Sequence, residues 1–276
     1  MTSGQAIFDL SGRVIVVTGG LGQLGCQFTK GLLAAGARVA VVDLEAKDQS
    51  EACSSCKVIE TQSGNLVQFF ADVTDTDQLI SCKNEIVSQM GSPFGLINNA
   101  AIDAPPLVST EDNGPVETYS ESSWDRVMAV NSKGVFLACQ VFGQAMAKNG
   151  SGSIVNVSST YGLVSPDQKL YQFLRDEGED YFKPIAYCVS KSSLLNLTRY
   201  LATYWGVAGV RVNTVTLGGV FNHQDPLFVK GYVERTPLGR MARQDEYNGL
   251  MTFLMSDAAS YITGANIVAD GGWTAW

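Results

Sequence analysis

Two residues four positions apart could together remove a proton from an alcohol. Tyr187 and Lys191 stand in the segment Tyr187-Cys-Val-Ser-Lys191, inside a run that predicts a helix over 184–205. Spacing i,i+4 places both side chains on one face of that helix. A free tyrosine has a pKa of about 10, and a nearby ammonium group favours its phenolate form. The pair is therefore a candidate general base, although the same spacing also arises by chance on solvated helix faces.

Other polar residues, most of them at the ends of predicted strands, could assist that transfer. Ser159 closes the apolar run SIVNVSS, where its hydroxyl could hold a substrate oxygen. Asn131 lies in a predicted long helix and could anchor a water molecule between Lys191 and solvent. Asn99 and Asp72 end two further strands. Because the carboxyl ends of parallel strands share one sheet edge, which carries the ligand, we expect these residues there.

A glycine-rich segment, TGGLGQLG at 18–25, lies between a predicted strand and a predicted helix. Glycines at such a turn let the backbone approach a pyrophosphate, and the helix N-terminus offers N–H groups to it. A lone GxGxxG pattern is weak, but here the strand and the helix that a dinucleotide site requires flank it. The alternative is a glycine-rich turn without a ligand.

Asp43 ends the second predicted strand, 18 residues after Gly25. A carboxylate there can accept hydrogen bonds from the ribose hydroxyls of an adenosine and repels a 2′-phosphate. The glycine segment contains no Arg or Lys, and the first basic residue after it is Lys30. We therefore expect NAD rather than NADP, unless Asp43 only caps the following loop.

The elements that must position these residues alternate between apolar strands and amphipathic helices. The predicted strands are 13–18, 37–43, 67–73, 94–100, 153–159, 210–216 and 265–270, and the main predicted helices are 23–35, 75–90, 122–148 and 184–205. Asp75 is expected to start the second helix, and Ser122 or Ser123 to cap the third. The alternation predicts one α/β Rossmann domain over residues 1–276, with a doubly wound, seven-stranded parallel sheet and helices on both faces. The irregular stretches at about 160–183 and 218–237 predict a substrate-side insertion and a mobile substrate loop.

Composition restricts the class of protein and its partners. The chain has 276 residues, of which 45% are hydrophobic, enough to bury a sizeable core. A net charge of −8 makes nucleic acid a poor expectation for a partner. No apolar run approaches the ~20 residues of a membrane span. Residues 1–12 lack the pattern of a secretory signal, so we expect a cytoplasmic protein.

Six cysteines are spread along the chain, and two of them, Cys53 and Cys56, form a CxxC motif. A zinc site would need a second pair or nearby histidines, and the one histidine, His223, is distant in sequence. We therefore expect no metal ion, and free thiols in a reducing compartment.

Taken together, these motifs resemble those of the short-chain dehydrogenase/reductase family, in its short form. The resemblance extends from residue 10 to the closing VADGGWTAW. It implies that Tyr187 is the general base and that Lys191 lowers the pKa of Tyr187 and binds the nicotinamide ribose. It also implies that Ser159 holds the substrate oxygen and that Asn131 serves a water relay. The implied dinucleotide contacts, besides Tyr187 and Lys191, are Gly19, Gly22, Gln23, Leu24, Gly25, Asp43, Asp72, Val73, Asn99, Gly218 and Val220.

The sequence departs from the family pattern at two places. The common short-form glycine pattern is TGxxxGxG, and Gln23 replaces its middle glycine. The resulting TGGxGxxG is typical of the extended subfamily that acts on nucleotide sugars. After the sixth strand, Leu217-Gly218 stands where the family usually has Pro-Gly. The chain length, the INNAA strand and the DGG terminus nevertheless favour the short form.

The substrate side carries an unusual insertion. Ser159 and Tyr187 are 28 residues apart, about twice the usual separation in the short form. The bulk and mixed charge of the extra residues, Lys169, Arg175 and Lys183 among them, favour a polar substrate. Alternatively, the insertion is a surface or subunit-contact excursion.

Segments such as YGLVSPDQKLYQ and KPIAYCVSK resemble oxidoreductases of bacterial surface-polysaccharide and flagellin-glycan pathways, which feed nonulosonic acids. That resemblance implies NAD-dependent oxidation of a sugar, a sugar phosphate or a nucleotide sugar. Arg175, Lys169 or Lys230 could bind a phosphate group. His223 and Gln224 either line the pocket or belong to a solvated loop.

Two other functions stay open. One is reduction of another carbonyl, such as a 3-oxoacyl thioester; such reductases usually favour NADPH, against which Asp43 argues. The other is a non-catalytic NAD-sensing protein, against which the catalytic set argues. The family resemblance also implies a homodimer or homotetramer through the two long helices. The apolar stripe of the second of them could serve the core or that interface; it comprises Leu194, Leu197, Leu201 and Trp205.

Overall fold

A seven-stranded parallel sheet forms the centre of the computed structural model, which describes residues 6–44, 64–103 and 112–276. Its strands are β1 (Val14–Thr18), β2 (Arg38–Asp43), β3 (Leu66–Phe70), β4 (Pro93–Asn98), β5 (Gly152–Ser159), β6 (Val210–Leu217) and β7 (Asn266–Ala269). They lie in the order β3-β2-β1-β4-β5-β6-β7, which confirms the predicted doubly wound Rossmann fold. The strand order reverses between β1 and β4, and this switch point is where such sheets bind ligands.

Helices cover both faces of the sheet. They are α1 (Gln23–Ala34), α2 (Thr76–Met90), α3 (Glu121–Met128), α4 (Val135–Asn149), α5 (Gln172–Asp176), α6 (Ile185–Trp205), α7 (Pro226–Glu234) and α8 (Asn248–Met255). Side chains of α2, α4 and α6 form the core on one face, and those of α1 and α8 form the core on the other. The apolar stripe of α6 belongs to the core, because Leu194 and Leu201 are buried and Leu197 and Trp205 pack against the same cluster.

Local chemistry explains where the helices begin. The Asp75 carboxylate accepts hydrogen bonds from two backbone N–H groups of the first turn of α2, as predicted. The expected cap at Ser122 or Ser123 is wrong. The Ser120 hydroxyl caps α3 instead, by accepting from the Ser123 N–H at 3.4 Å. The predicted long helix is also interrupted, because a π-helical turn over Ala129–Gly134 separates α3 from α4.

The segments that follow β5 and β6 share a small core of their own. The first contains two 3₁₀ turns, Thr160–Gly162 and Gln168–Tyr171, followed by α5, and the second contains α7. The buried members of this core, which we call the cover cluster, are Leu170, Tyr171, Leu174, Tyr181, Tyr232, Met241 and Trp273. The predicted insertion is therefore a packed part of the domain, while the mobility expected for 218–237 stays a prediction.

No helix in the described ranges is long and apolar enough to cross a membrane. Cys82, Cys139 and Cys188 are free thiols, as expected. Cys26 is disulfide-bonded, so the expectation of free thiols is wrong for this residue, whose covalent bond no sequence spacing revealed. The Cys53–Cys56 motif lies outside the described residues. Among the residues with described positions, no group of three or more His, Cys, Asp and Glu side chains could hold a metal ion.

Candidate active site

The end of β5 and the first turn of α6 bring three of the predicted catalytic residues together. The Ser159 side chain lies beside that of Tyr187, close enough to lower the pKa of the Tyr187 phenol. The Ser159 hydroxyl also accepts from the Tyr161 N–H at 3.2 Å, which fixes its position at the strand end. The Lys191 ammonium donates to the Val157 carbonyl at 2.9 Å and lies 5.8 Å from the centre of the Tyr187 ring.

A glycine lets α6 approach β5 this closely. A Cβ atom at Gly162 would lie 2.5 Å from the Ser158 hydroxyl and 2.9 Å from the backbone of Lys191. The same Ser158 hydroxyl donates to the Lys191 carbonyl at 2.9 Å. The backbone of Lys191 is therefore held against the end of β5 by a contact that a larger residue at 162 would prevent.

Burial acts on the pKa values of both candidate residues. It raises the pKa of Tyr187 well above its ordinary value; the negative charge of Asp103 raises it further, while the Ser159 side chain lowers it. Burial also lowers the pKa of Lys191 to about 8, opposed by the charge of Asp103. The described residues alone therefore hold Tyr187 as a neutral phenol, and additional positive charge is needed to ionise it.

Asn131 lies in the π-helical turn and is completely buried. Its side chain accepts from the Ile102 N–H at 2.8 Å and donates to the Ile102 carbonyl at 2.9 Å, and it also donates to the Ser190 hydroxyl at 3.1 Å. Asn131 thus ties the loop after β4 to the helix that carries Tyr187. Its expected part in a water relay stays a prediction.

The glycine turn has the close packing that its sequence predicts. A Cβ at Gly25 would lie 2.2 Å from the Gly19 carbonyl oxygen, and one at Gly19, where φ is +62°, would lie 2.7 Å from the backbone of Ala100. Gly22 is the N-cap of α1 and supplies no side-chain cap, while Leu24 lies in the first turn. The buried Nε2 of Gln23 has no hydrogen-bond partner among the described residues.

These features fit a dinucleotide. An uncapped helix N-terminus supplies N–H donors to phosphate, and the orphaned amide of Gln23 provides another donor at the same turn. Asp43 lies beside the turn, where its carboxylate accepts from the Leu21 N–H at 2.9 Å and the Leu44 N–H at 2.8 Å. The carboxylate is therefore fixed at the glycine turn, at the end of β2.

Residues that end the neighbouring strands support this turn. The Asn99 amide donates to the Gly19 carbonyl at 2.9 Å. Asp72 folds back on its own loop, where it accepts from the backbone and hydroxyl of Thr74 at 2.8 and 2.7 Å. Val73 packs against Gly134 of the π-helical turn, so closely that a Cβ at Gly134 would lie 2.9 Å from it. Asn99 directly follows β4, whereas Asp72 and Val73 lie in the loop after β3, which ends at Phe70 and not at 73 as predicted.

The segment after β6 is held in place despite its missing proline. Gly218 donates to the Ala269 carbonyl at 3.0 Å, and Val220 forms a bridge with Ala242. Gln224 donates to the Val220 carbonyl at 2.7 Å, so its side chain serves the loop rather than an open pocket. His223 is exposed, which agrees with a solvated loop histidine.

A cavity of about 260 Å³ opens beside Tyr187. Its lining consists of Ile102, Asp103, Asp112, Tyr119, Arg126, Val127, Pro184 and Tyr187. Behind it, the Lys183 ammonium lies 4.7 Å from the centre of the Tyr187 ring and 2.5 Å from the Asp103 carboxylate. From the sequence, Lys183 counted only as one of the charges of the insertion, and Asp103 was not predicted, because the two are 80 residues apart and only the folded insertion joins them.

The insertion uses Arg175 differently from the prediction. The Arg175 guanidinium donates to the carbonyls of Tyr181 and Gln168 at 2.7 and 2.6 Å, so it stabilises the insertion instead of offering itself to a phosphate. Lys169 and Lys230 are exposed to solvent.

Comparison with known proteins decides the family. A family model described as enoyl-(acyl carrier protein) reductase matches residues 22–274. A D-threitol dehydrogenase of Mycolicibacterium smegmatis is 31% identical over 272 residues, which cover 97% of this chain and 95% of the relative. The chain belongs to the short-chain dehydrogenase/reductase family. Another member, the L-tagatose-forming galactitol 2-dehydrogenase of Cereibacter sphaeroides, is 31% identical, with 99% of both chains covered.

Similar solved structures contain either nicotinamide cofactor. A short-chain dehydrogenase of Leptospira borgpetersenii with bound NAD+ has a TM-score of 0.82 and 28% identity to this chain. The alignment covers 99% of this chain and 96% of the Leptospira chain. A gluconate 5-dehydrogenase of Burkholderia cenocepacia, in complex with NADP and tartrate, has a TM-score of 0.84 at 23% identity, with 99% and 100% covered. The second likeness concerns the fold alone.

Proposed function

We propose that this family member is an NAD-dependent dehydrogenase that oxidises a secondary hydroxyl group of a sugar or sugar alcohol. The observation that carries the proposal is the cluster of Ser159, Tyr187 and Lys191 at the carboxyl edge of the sheet, whose Tyr187 lines a cavity together with the Asp103 carboxylate. The names of the threitol and galactitol dehydrogenases support an alcohol of this kind.

In this proposal Tyr187 accepts the proton of the substrate hydroxyl, and Ser159 holds the same oxygen by a hydrogen bond. Lys191, one helical turn further on, stabilises the phenolate by its positive charge. The nicotinamide cofactor, when bound, supplies the hydride acceptor and, in its oxidised form, a positive ring. Because burial raises the pKa of Tyr187, turnover in the oxidising direction is expected to rise with pH above neutrality.

The choice of NAD is supported by Asp43, whose carboxylate lies at the glycine turn and would repel a 2′-phosphate. The proposed phosphate contacts are the N-terminus of α1 and Gln23. A role in surface-glycan synthesis stays a prediction, because the relatives above are named for free polyols. Assembly through α4 and α6 also stays a prediction; the exposed rings of Tyr200 and Tyr204 on α6 are consistent with it.

The test measures NADH or NADPH formation at mildly alkaline pH with threitol, galactitol, sugar phosphates and nucleotide sugars. We expect turnover with NAD and a polyol or sugar, which Tyr187→Phe lowers by about 100-fold or more while leaving NADH binding intact. Tyr204→Phe, an exposed position on the same helix, is the matched control and should keep full activity. Retained activity in Tyr187→Phe, or silence of the parent protein on every alcohol, would contradict the proposal. A 3-oxoacyl thioester and NADPH are included to test the alternative reduction.

A further inference from the structure

The cavity beside Tyr187 contains a carboxylate that the proposed proton transfer does not use. Asp103 lines this cavity together with Tyr187, and 41% of its side chain is exposed. A carboxylate only accepts hydrogen bonds, so it selects ligands that offer O–H or N–H groups.

One ion pair holds this carboxylate in place, and hydrogen bonds fix the backbone on both sides of that pair. The preceding residue, Ile102, is bonded at both its N–H and its carbonyl by the buried side chain of Asn131. The Lys183 ammonium, only 9% exposed, pairs with Asp103 Oδ2 at 2.5 Å. The Lys183 backbone is bonded on both sides by Gln168, at 2.9 and 3.3 Å. The insertion therefore positions a fixed charge pair at the edge of the cavity.

The Asp103–Lys183 pair lies beside Tyr187, the proposed general base. The Lys183 ammonium contacts both the Asp103 carboxylate and the face of the Tyr187 ring, at 4.7 Å from its centre. A small substrate whose reacting oxygen meets Tyr187 would therefore lie beside Asp103. The buried hydroxyl of Tyr119, on the same cavity, has no hydrogen-bond partner among the described residues and adds a second polar group.

Charge balance in the cavity indicates what kind of substrate it admits. Of the described lining residues, Asp112 is paired with Arg126 at 2.5 Å, and Asp103 is paired with Lys183. Among the described lining residues, every cation already has a carboxylate partner, so none is left to bind an anionic substrate.

We propose that Asp103, held by Lys183, is the specificity-determining residue that accepts a hydrogen bond from a hydroxyl group adjacent to the reacting carbon. The preferred substrate is then an uncharged polyol with neighbouring hydroxyls. This proposal rests on the proposed function, since it names the substrate class of the same site. An alcohol without the second hydroxyl displaces water from the exposed side of the carboxylate and supplies no hydrogen bond in return, which is how polar sites reject such analogues.

The test compares threitol with 2-butanol, which share a four-carbon chain and differ in the flanking hydroxyls. Asp103→Asn should lower the ratio of kcat/KM for threitol to kcat/KM for 2-butanol by about 10- to 100-fold, the effect of losing a charge-assisted hydrogen bond. The ratio cancels the effect of the Asp103 charge on Tyr187, which acts on both alcohols alike. Lys183→Met, which removes the ion pair that holds the carboxylate, should likewise lower kcat/KM for threitol more than kcat/KM for 2-butanol. Asp180→Asn, an exposed carboxylate of the same insertion, is the control.

The outcomes separate the two proposals. Equal losses on both alcohols, with NADH binding and the melting temperature unchanged, would overturn the role of Asp103 and leave the dehydrogenase standing. A parent protein that prefers 2-butanol to threitol, or sorbitol 6-phosphate to sorbitol, would overturn the substrate class. A parent protein that binds NADH and oxidises no alcohol would refute the proposed function itself.

Discussion

Lys191→Met should make the folded protein more stable near neutral pH. Burial lowers the pKa of Lys191 from 10.5 to about 8, so the protonated form is disfavoured in the folded state. At about 1.4 kcal/mol for each pKa unit, the difference amounts to roughly 3 kcal/mol. Methionine removes this penalty but also removes the hydrogen bond to the Val157 carbonyl, which costs about 1 kcal/mol. We therefore expect a net gain of about 2 kcal/mol near pH 7.

The sign of the pH dependence follows from the same residue. Between the folded pKa of about 8 and the unfolded value of 10.5, the unfolded chain binds a proton that the folded chain has lost. The stability of the parent protein therefore rises with pH in this window, and the advantage of the variant should shrink to near zero by about pH 9.5. Tyrosines and other lysines titrate in both proteins, so their effects cancel in the difference.

Urea unfolding followed by circular dichroism, without added nucleotide and at one protein concentration, measures both quantities. Lys230→Met, at an exposed position, serves as the control and should match the parent protein at both pH values. A Lys191→Met variant that is less stable than the parent near pH 7, or whose difference from the parent does not change with pH, would refute the reasoning. Its turnover should fall in either case, because one of the two cations beside Tyr187 is gone, the other being Lys183.

Two further predictions concern the cofactor turn. Gly25→Ala should abolish NADH binding, because the new Cβ would lie 2.2 Å from the Gly19 carbonyl oxygen. Gly22→Ala should retain most of the binding, because the nearest atom to its new Cβ would be 3.3 Å away. Fluorescence titration with NADH measures the affinity of both variants. Asp43→Asn should raise the ratio of kcat/KM for NADP to that for NAD by about tenfold or more, since the repelling charge is removed. An unchanged ratio would show that Asp43 only organises its loop.

Local patterns were sufficient to predict the sheet and the glycine turn. The seven predicted strands differ from the observed ones by a few residues at their ends, because buried parallel strands are continuous apolar runs. Gly19 and Gly25 sit where backbone atoms leave no room for a Cβ, so their type alone marked the turn. Tyr187 and Lys191 were found because one helix sets their separation.

What could not be predicted depends on contacts between distant segments. The π-helical turn at Ala129–Gly134 has no compositional signal, since its residues continue the helical pattern on both sides. The contact between Asp103 and Lys183 requires the insertion to fold, and sequence spacing contains no information about that distance. Arg175 was one candidate for binding a phosphate group. Its guanidinium instead donates hydrogen bonds to two backbone carbonyls that the folded insertion brings within reach.

The cover cluster has a consequence for how this protein could acquire new substrates. Its rings come from three remote parts of the chain: Tyr171 packs against Phe228 at 5.4 Å, and Tyr232 stacks on Trp273 at 4.3 Å. No buried member of it belongs to the clusters on the sheet faces. The insertion, α7 and the C-terminal segment must therefore be inherited or exchanged as one unit, since transplanting any one of them alone would leave a ring without its neighbour. The sheet that carries the chemistry can stay unchanged while that unit diversifies.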